Sequence, residues 1–288
     1  MAGTAQAVPN SSGTEPPRLS APPLAADCHI HIYDPRFEPK VEHPSQATVS
    51  DYRLLQKRLG LSRVVIVQPR NYVTDNRPTL DAISQLGQDR ARGIAVLHPT
   101  VADAELERLH EGGIRGVRFT VGKPDVAVVS IDMIEPLARR IAPLGWHVQL
   151  HMSGQQIVEH EDMLRRLPLP IVFDHMGRPP LPEGIQHASH AIVRDLLDRG
   201  RAWVKLSGAY LNSRSGAPAY EDACDIARAF VRAAPERLVW GSDWPHPGPK
   251  TPPDDAVLLD LLAAQAPDAD TQHRILVANP QALYGFGS

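Results

Sequence analysis

What most constrains this chain is a theme repeated along nearly its whole length: a short β-branched run, a Gly- or Pro-rich turn, then an amphipathic stretch with helical spacing. Eight strand candidates carry it, at 24–31, 63–68, 92–97, 114–119, 146–151, 170–175, 202–207 and 238–243. Helical candidates lie between and after them, around 50–59, 77–88, 103–111, 131–142, 155–166, 185–199, 220–233, 256–264 and 270–284. Strand ends recur roughly every 30 residues, the size of a βα unit. Eight such units in 288 residues predict an α/β fold, a single (β/α)8 TIM barrel. An open doubly wound sheet would show a G-x-G-x-x-G turn after its first strand, and none is present there.

Composition narrows the partners. A net charge of −3 leaves no basic surplus for neutralising phosphates, and no window holds the ~20 continuous apolar residues of a membrane span. Neither nucleic acid nor a bilayer is expected as a partner. The 28 prolines disfavour long helices, because an interior proline costs a helix about 3 kcal/mol. Five of them, Pro9, Pro16, Pro17, Pro22 and Pro23, fall in residues 1–23, a Ser-, Thr- and Ala-rich stretch without a secretory core. Those residues read as a disordered leader to a catalytic domain over 24–288, and the location as cytoplasmic. Cys28 and Cys224 sit far apart in apolar runs, which suggests buried thiols and no disulfide.

A barrel keeps its chemistry at the C-terminal ends of its strands, so the residues there are the ones to inspect. Period-two alternation in the first strand puts Asp27, His29 and His31 on the inner face and Cys28 and Ile30 on the outer one. His151 ends the fifth strand, His175 the sixth and Asp243 the eighth. Each could be an ordinary buried polar group, but four histidines and Asp243 at one mouth point to a shared site. Imidazole nitrogen and carboxylate oxygen suit Zn²⁺ or a similar ion, whose bound water would attack a carbonyl. No G-x-S-x-G elbow is present and neither cysteine ends a strand, so covalent acyl transfer is disfavoured.

The same mouth collects cations. Arg118 closes the fourth strand, Arg178 follows His175, Arg70 lies beyond the second strand, and Lys205 points inward on the seventh. A guanidinium fork matches a carboxylate, which suggests an acidic substrate. Other readings stay open: Arg118 could pair with an internal carboxylate such as Asp27, and Arg70 and Arg214 could be solvated loop residues. Tyr210, Ser213 and Arg214, after the seventh strand, are candidates for specificity.

Five motifs together resemble the amidohydrolase superfamily. They are His29-x-His31; Val67-Gln68-Pro69 with Thr74-Asp75-Asn76; Gly116-Val117-Arg118-Phe119; Asp174-His175-Met176-Gly177-Arg178-Pro179; and Trp240-Gly241-Ser242-Asp243-Trp244-Pro245-His246-Pro247. More narrowly, they resemble the branch holding 2-pyrone-4,6-dicarboxylate lactonase, 4-sulfomuconolactone hydrolase, sugar-acid lactonases and galactarolactone isomerase. The likeness covers 24–284 and implies a barrel that opens an anionic lactone, with Asp243 as the base for water. It implies that His31 and His175 polarise the carbonyl and that Arg118 and Arg178 hold carboxylates.

Departures from the pattern matter too. Pro124 and Leu211 stand where the metal-free pyrone enzyme has arginine, and Arg70 where it has serine. Its fifth strand ends in tyrosine and the isomerase's in glutamine, whereas His151 stands here. Mononuclear members of the wider superfamily ligate through the equivalents of His29, His31, His151 and Asp243, so the resemblance implies a single zinc on those four with His175 moving protons. The segment 208–214 is closer to the sugar-acid members. The expected function is thus hydrolysis of a muconolactone-like or aldarolactone substrate. The alternatives are a galactarolactone-type isomerase and a metal-dependent decarboxylase, the latter disfavoured by the motifs around His175 and Asp243.

Overall fold

A computed structural model describes residues 7–41, 45–122 and 128–287. Its eight strands are β1 (Ala26–Ile30), β2 (Arg63–Val67), β3 (Ala91–Ala95), β4 (Ile114–Thr120), β5 (His147–His151), β6 (Ile171–Phe173), β7 (Ala202–Leu206) and β8 (Leu238–Trp240). They pair in parallel and in chain order, β1 through β8. The seam between β8 and β1 is closed just beyond β8, where the Asp243 N–H donates to the His29 carbonyl and the His31 N–H to the Trp244 carbonyl, both at 2.8 Å. Gly241 makes that approach possible, since a β-carbon there would stand 2.7 Å from that of His29. The result is the expected TIM barrel.

Helices cover the outside: α1 (Val49–Leu59), α2 (Arg77–Leu86), α3 (Asp103–Glu111), α4 (Ile134–Ile141), α5 (Gly154–Glu159), α6 (Glu161–Arg166), α7 (Ala188–Asp198), α8 (Glu221–Ala233), α9 (Asp255–Gln265), α10 (Ala269–His273) and α11 (Asn279–Tyr284). Local chemistry sets their ends. Thr48 and Asp51 form a capping box on α1, which Gly60 stops in the left-handed region. The single helix expected over 270–284 is divided by a π-type turn at Arg274–Ala278, just ahead of Pro280, whose missing N–H breaks the α-helical ladder. Two apolar layers follow from the strand alternation: Val64 and Ile66 pack outward under the helices, while Val65 and Val67 pack inward.

Residues 7–23 depart from the expected disorder. Val8 and Leu19 are buried, the Trp244 indole donates to the Pro9 carbonyl at 2.8 Å, and the Ser12 N–H donates to the Pro253 carbonyl at 3.0 Å. Arg58 reaches the Glu15 carbonyl and the Leu19 N–H donates to Asp260. Prolines suit this stretch because it follows the barrel in extended turns and needs few N–H donors. Residues 1–6 lie outside the described residues.

Candidate active site

A bulge in β1 builds the floor of the site. Asp27 pairs with Val64 and Ile30 with Ile66, so two residues of β1, Cys28 and His29, oppose the single Val65. Both therefore turn inward, and simple alternation fails at this point. Asp27 faces outward instead of into the barrel, where it accepts from the Ser242 N–H at 2.9 Å and hydroxyl at 2.6 Å. His31, one step past the bulge's outward Ile30, returns to the inner face.

Three imidazoles surround Asp243. His29 Nε2 lies 3.5 Å and His31 Nε2 3.7 Å from Oδ1, and His175 Nε2 lies 3.9 Å from Oδ2. The opposite ring nitrogens are engaged from behind. His31 Nδ1 is 2.8 Å from the Val67 carbonyl, which can only accept, so Nδ1 carries the hydrogen and Nε2 presents a lone pair. His175 Nδ1 meets the Ser207 hydroxyl at 2.9 Å. His29 Nδ1 is 3.3 Å from both Asp174 Oδ1 and Lys205 Nζ. Burial, aided by Arg118, holds His31 down to about 4, and burial holds His175 at about 3 despite Asp174, so both are neutral near pH 7. Burial raises the Asp243 carboxyl above its ordinary range.

Such a set fits a divalent cation. His29 Nε2 is wholly buried without a hydrogen-bond partner, and His29, His175 and Asp243 offer ligand atoms within 4.8 Å of one another. Tetrahedral ligands ~2.0–2.1 Å from zinc stand ~3.3 Å apart, close to the spacings here. Outer partners on the remaining imidazole nitrogens are what metal-binding histidines ordinarily have. His151 stands apart from this group: its Nε2 is 3.2 Å from Arg178 Nη1, and its ring packs 5.4 Å from that of His175. His175 takes the nearer place because β6 stops at Phe173 and the chain then turns through left-handed residues, His175 at φ 49° and Met176 at φ 58°.

Above these groups opens a cavity of about 280 Å³. Arg70, Arg118, His151, Arg178, Tyr210 and Leu211 line it together with His31, His175 and Asp243. Arg118 is buried and its Nε donates to Asp174 at 2.9 Å, so its internal partner is Asp174, with Asp27 on the other face of the sheet. Tyr210 donates to Asp243 Oδ2 at 2.6 Å. Arg214 is exposed and outside the lining, and its loop is held by Asp222, which accepts from the Arg214 N–H at 2.6 Å. Pro124 lies outside the described residues.

Sequence reasoning missed Asp174 as the hub of the floor. Burial favours its neutral form, but His29, Arg118 and Lys205 outweigh this and hold it well below the carboxylate range. Lys205 is fully buried, donates to the Cys28 carbonyl and Gln149 Oε1 at 2.8 Å, and is lowered to about 8 by burial. The signal for Asp174 was available, since it lies two residues after the inward Val172.

A parallel barrel whose C-terminal mouth sets an aspartate among imidazoles beneath arginines defines a class, the barrel enzymes that activate water. This chain belongs to the amidohydrolase family, whose model matches residues 26–286. It is 36% identical over 282 residues to 2-pyrone-4,6-dicarboxylate hydrolase of Comamonas testosteroni, covering 93% of this chain and 92% of that one. It is 35% identical to 4-sulfomuconolactone hydrolase of Rhizobium radiobacter, covering 94% and 93%. Among solved structures, an apo protein of Agrobacterium tumefaciens superposes with a TM-score of 0.85 at 31% identity, over 94% of this chain and 99% of that one. No helix of the described residues is long and apolar enough to cross a membrane.

Proposed function

We propose that this enzyme opens the ring of a small anionic lactone with water. The observation that carries the reading is the cavity itself, which sets Asp243 and neutral imidazoles on one side and Arg70, Arg118 and Arg178 on the other. At about 280 Å³ it lies at the small end of ligand sites, ~300–1,000 Å³, and suits a single ring with short acidic arms. The two relatives named above act, by their names, on a pyrone dicarboxylate and a sulfomuconolactone, both lactones with anionic groups.

In this reading Asp243 takes the proton of the attacking water, and His31 and His175 stand beside the attacked carbonyl. Arg118, Arg178 and Arg70 bind the anionic group and orient the ring. Tyr210 holds the Asp243 carboxylate, and His151 joins the substrate wall. A single zinc would be held by Asp243 and His29, with His31 and His175 beside it, and when bound it would polarise the carbonyl and acidify water. The two imidazoles whose Nδ1 nitrogens meet Val67 and Ser207 keep their Nε2 atoms facing that point.

The test is turnover of purified enzyme on pyrone dicarboxylate, sulfomuconolactone, aldarolactones and a neutral lactone, with elemental analysis of the same sample. An acyclic acid as the product, formed from an anionic lactone, is expected, as is bound zinc whose chelation abolishes turnover. No opening of any lactone overturns the reading. Full turnover in metal-free protein removes the zinc but keeps the lactonase.

A further inference from the structure

Behind Asp243 runs a line of polar groups of which Tyr210 borders the cavity and the rest lie buried beyond it. Tyr210 Oη donates to Asp243 Oδ2 at 2.6 Å, and His246 Nδ1 lies 3.1 Å from the same Oη. His246 Nε2 lies 3.1 and 3.2 Å from the two oxygens of Asp255, the first residue of α9. His246 is 3% exposed and Asp255 0%, and neither lines the cavity.

Counting hydrogens orders the line. A tyrosine hydroxyl has one proton, and here it goes to Asp243. Tyr210 Oη can then only accept from His246, so Nδ1 must carry a hydrogen. Nε2 faces carboxylate oxygens, so a further proton is shared between Nε2 and Asp255. The Tyr210 and Nδ1 links therefore donate towards Asp243, and the shared proton ties His246 to Asp255. The backbone invests in the same arrangement: Asp243 at φ 68° and His246 at φ 59° are both non-glycine residues in the left-handed region, joined by a 2.9 Å bond from the His246 N–H to the Asp243 carbonyl.

We propose that Asp255 and His246 are positioning residues for the reaction, acting through Tyr210. They fix Asp243 Oδ2, so that Oδ1, on the side of His29 and His31, is the oxygen offered to water. The inference rests on the reading of Asp243 as the base.

Two substitutions separate this role from packing. In His246→Asn the amide nitrogen can take the place of Nδ1 and still donate to Tyr210, and asparagine tolerates the left-handed backbone. In His246→Gln the amide nitrogen takes the place of Nε2 and the donor to Tyr210 is lost. We expect kcat on an anionic lactone to fall ~10–100-fold in His246→Gln and in Asp255→Asn, with KM within about twofold, and less than about fivefold in His246→Asn. Equal losses in the two His246 variants overturn the proposal. A second measurement needs no substrate: NMR of the unsubstituted enzyme with ¹⁵N-labelled histidines, its His246 signals assigned by their loss in His246→Asn. A protonated Nδ1 is expected and a bare one overturns the line, even if His246→Gln does not fold. If no lactone is turned over, the proposed function fails while the NMR result still decides the order of the line.

Discussion

Both ends of the barrel are rich in arginine, and the two ends use it differently. At the N-terminal end the guanidiniums are absorbed by backbone carbonyls of the chain's last turns. Arg92 donates to Tyr284 at 3.1 Å and Gly285 at 2.7 Å, and Arg63 to Gly287. Both guanidiniums also cover the Phe286 ring, at 5.1 and 5.4 Å from its centre. Arg115 caps the carbonyls of His110 and Ile114. At the C-terminal mouth Arg118 has one donor on Asp174, Arg178 one on His151, and both guanidiniums border the cavity. A cation bonded to carbonyls seals a structure, whereas one facing open space beside a buried carboxylate keeps donors free for a ligand.

The sharpest break of that division is at Asp243 itself. Asp243→Asn keeps the Tyr210 contact and the fold but cannot take a proton, so kcat for lactone opening should fall about 10³-fold with little change in melting temperature. Retention of more than a tenth of the rate would move the base elsewhere in the mouth. Next comes a crossed pair. Arg178→Ala should cost about 100-fold in kcat/KM on an anionic lactone and far less on a neutral one, with the melting temperature within ~2 °C, because a charge-assisted bond is worth about 1.5–3 kcal/mol. Arg92→Ala should do the reverse. Its two buried bonds, to the carbonyls of Tyr284 and Ala91, are lost at about 1–3 kcal/mol each, which at ~2–4 °C per kcal/mol lowers the melting temperature by roughly 5–10 °C, while kcat/KM of the folded fraction stays the same. Loss of activity in Arg92→Ala without loss of stability would mean that the ends are not separate.

The legible part of this molecule was what repeats. Strand–turn–helix periodicity gave away the barrel and its strand order, and strand ends named His31, His151, Arg118 and, two and three residues past shorter strands, His175 and Asp243. What escaped was whatever depends on one local irregularity or one distant partner. The bulge between Asp27 and Ile30 leaves no mark in composition, yet it reversed Asp27 and Cys28. Asp174 could be placed inward by alternation, but its pairing with Arg118 joins residues 56 apart. His246 and Asp255 lie beyond β8, where periodicity is silent. The N-terminal stretch has the composition of a disordered tail, and contacts with distant residues hold it against the barrel, from Ser12 and Leu19 to the turn and helix at 252–260 and from Glu15 to Arg58.

The smallest expected effect tests where the proposed recognising set ends. Arg214 follows β7 and is, with Tyr210 and Ser213, a sequence candidate for specificity, but it is exposed, and the groups that order its loop are others. Asp222 accepts from the Ser213 and Ser215 hydroxyls and from the N–H groups of residues 214 and 215. Those bonds outweigh burial and hold the Asp222 carboxyl low, and none of them needs the Arg214 guanidinium. Arg214→Ala should therefore change kcat/KM by less than about twofold on anionic and neutral lactones alike, within the ~0.5 kcal/mol typical of surface substitutions. A tenfold loss confined to the anionic lactone would show that the 208–216 loop moves over the cavity when substrate binds, and Arg214 would then join the mouth's arginines as a ligand-gathering residue.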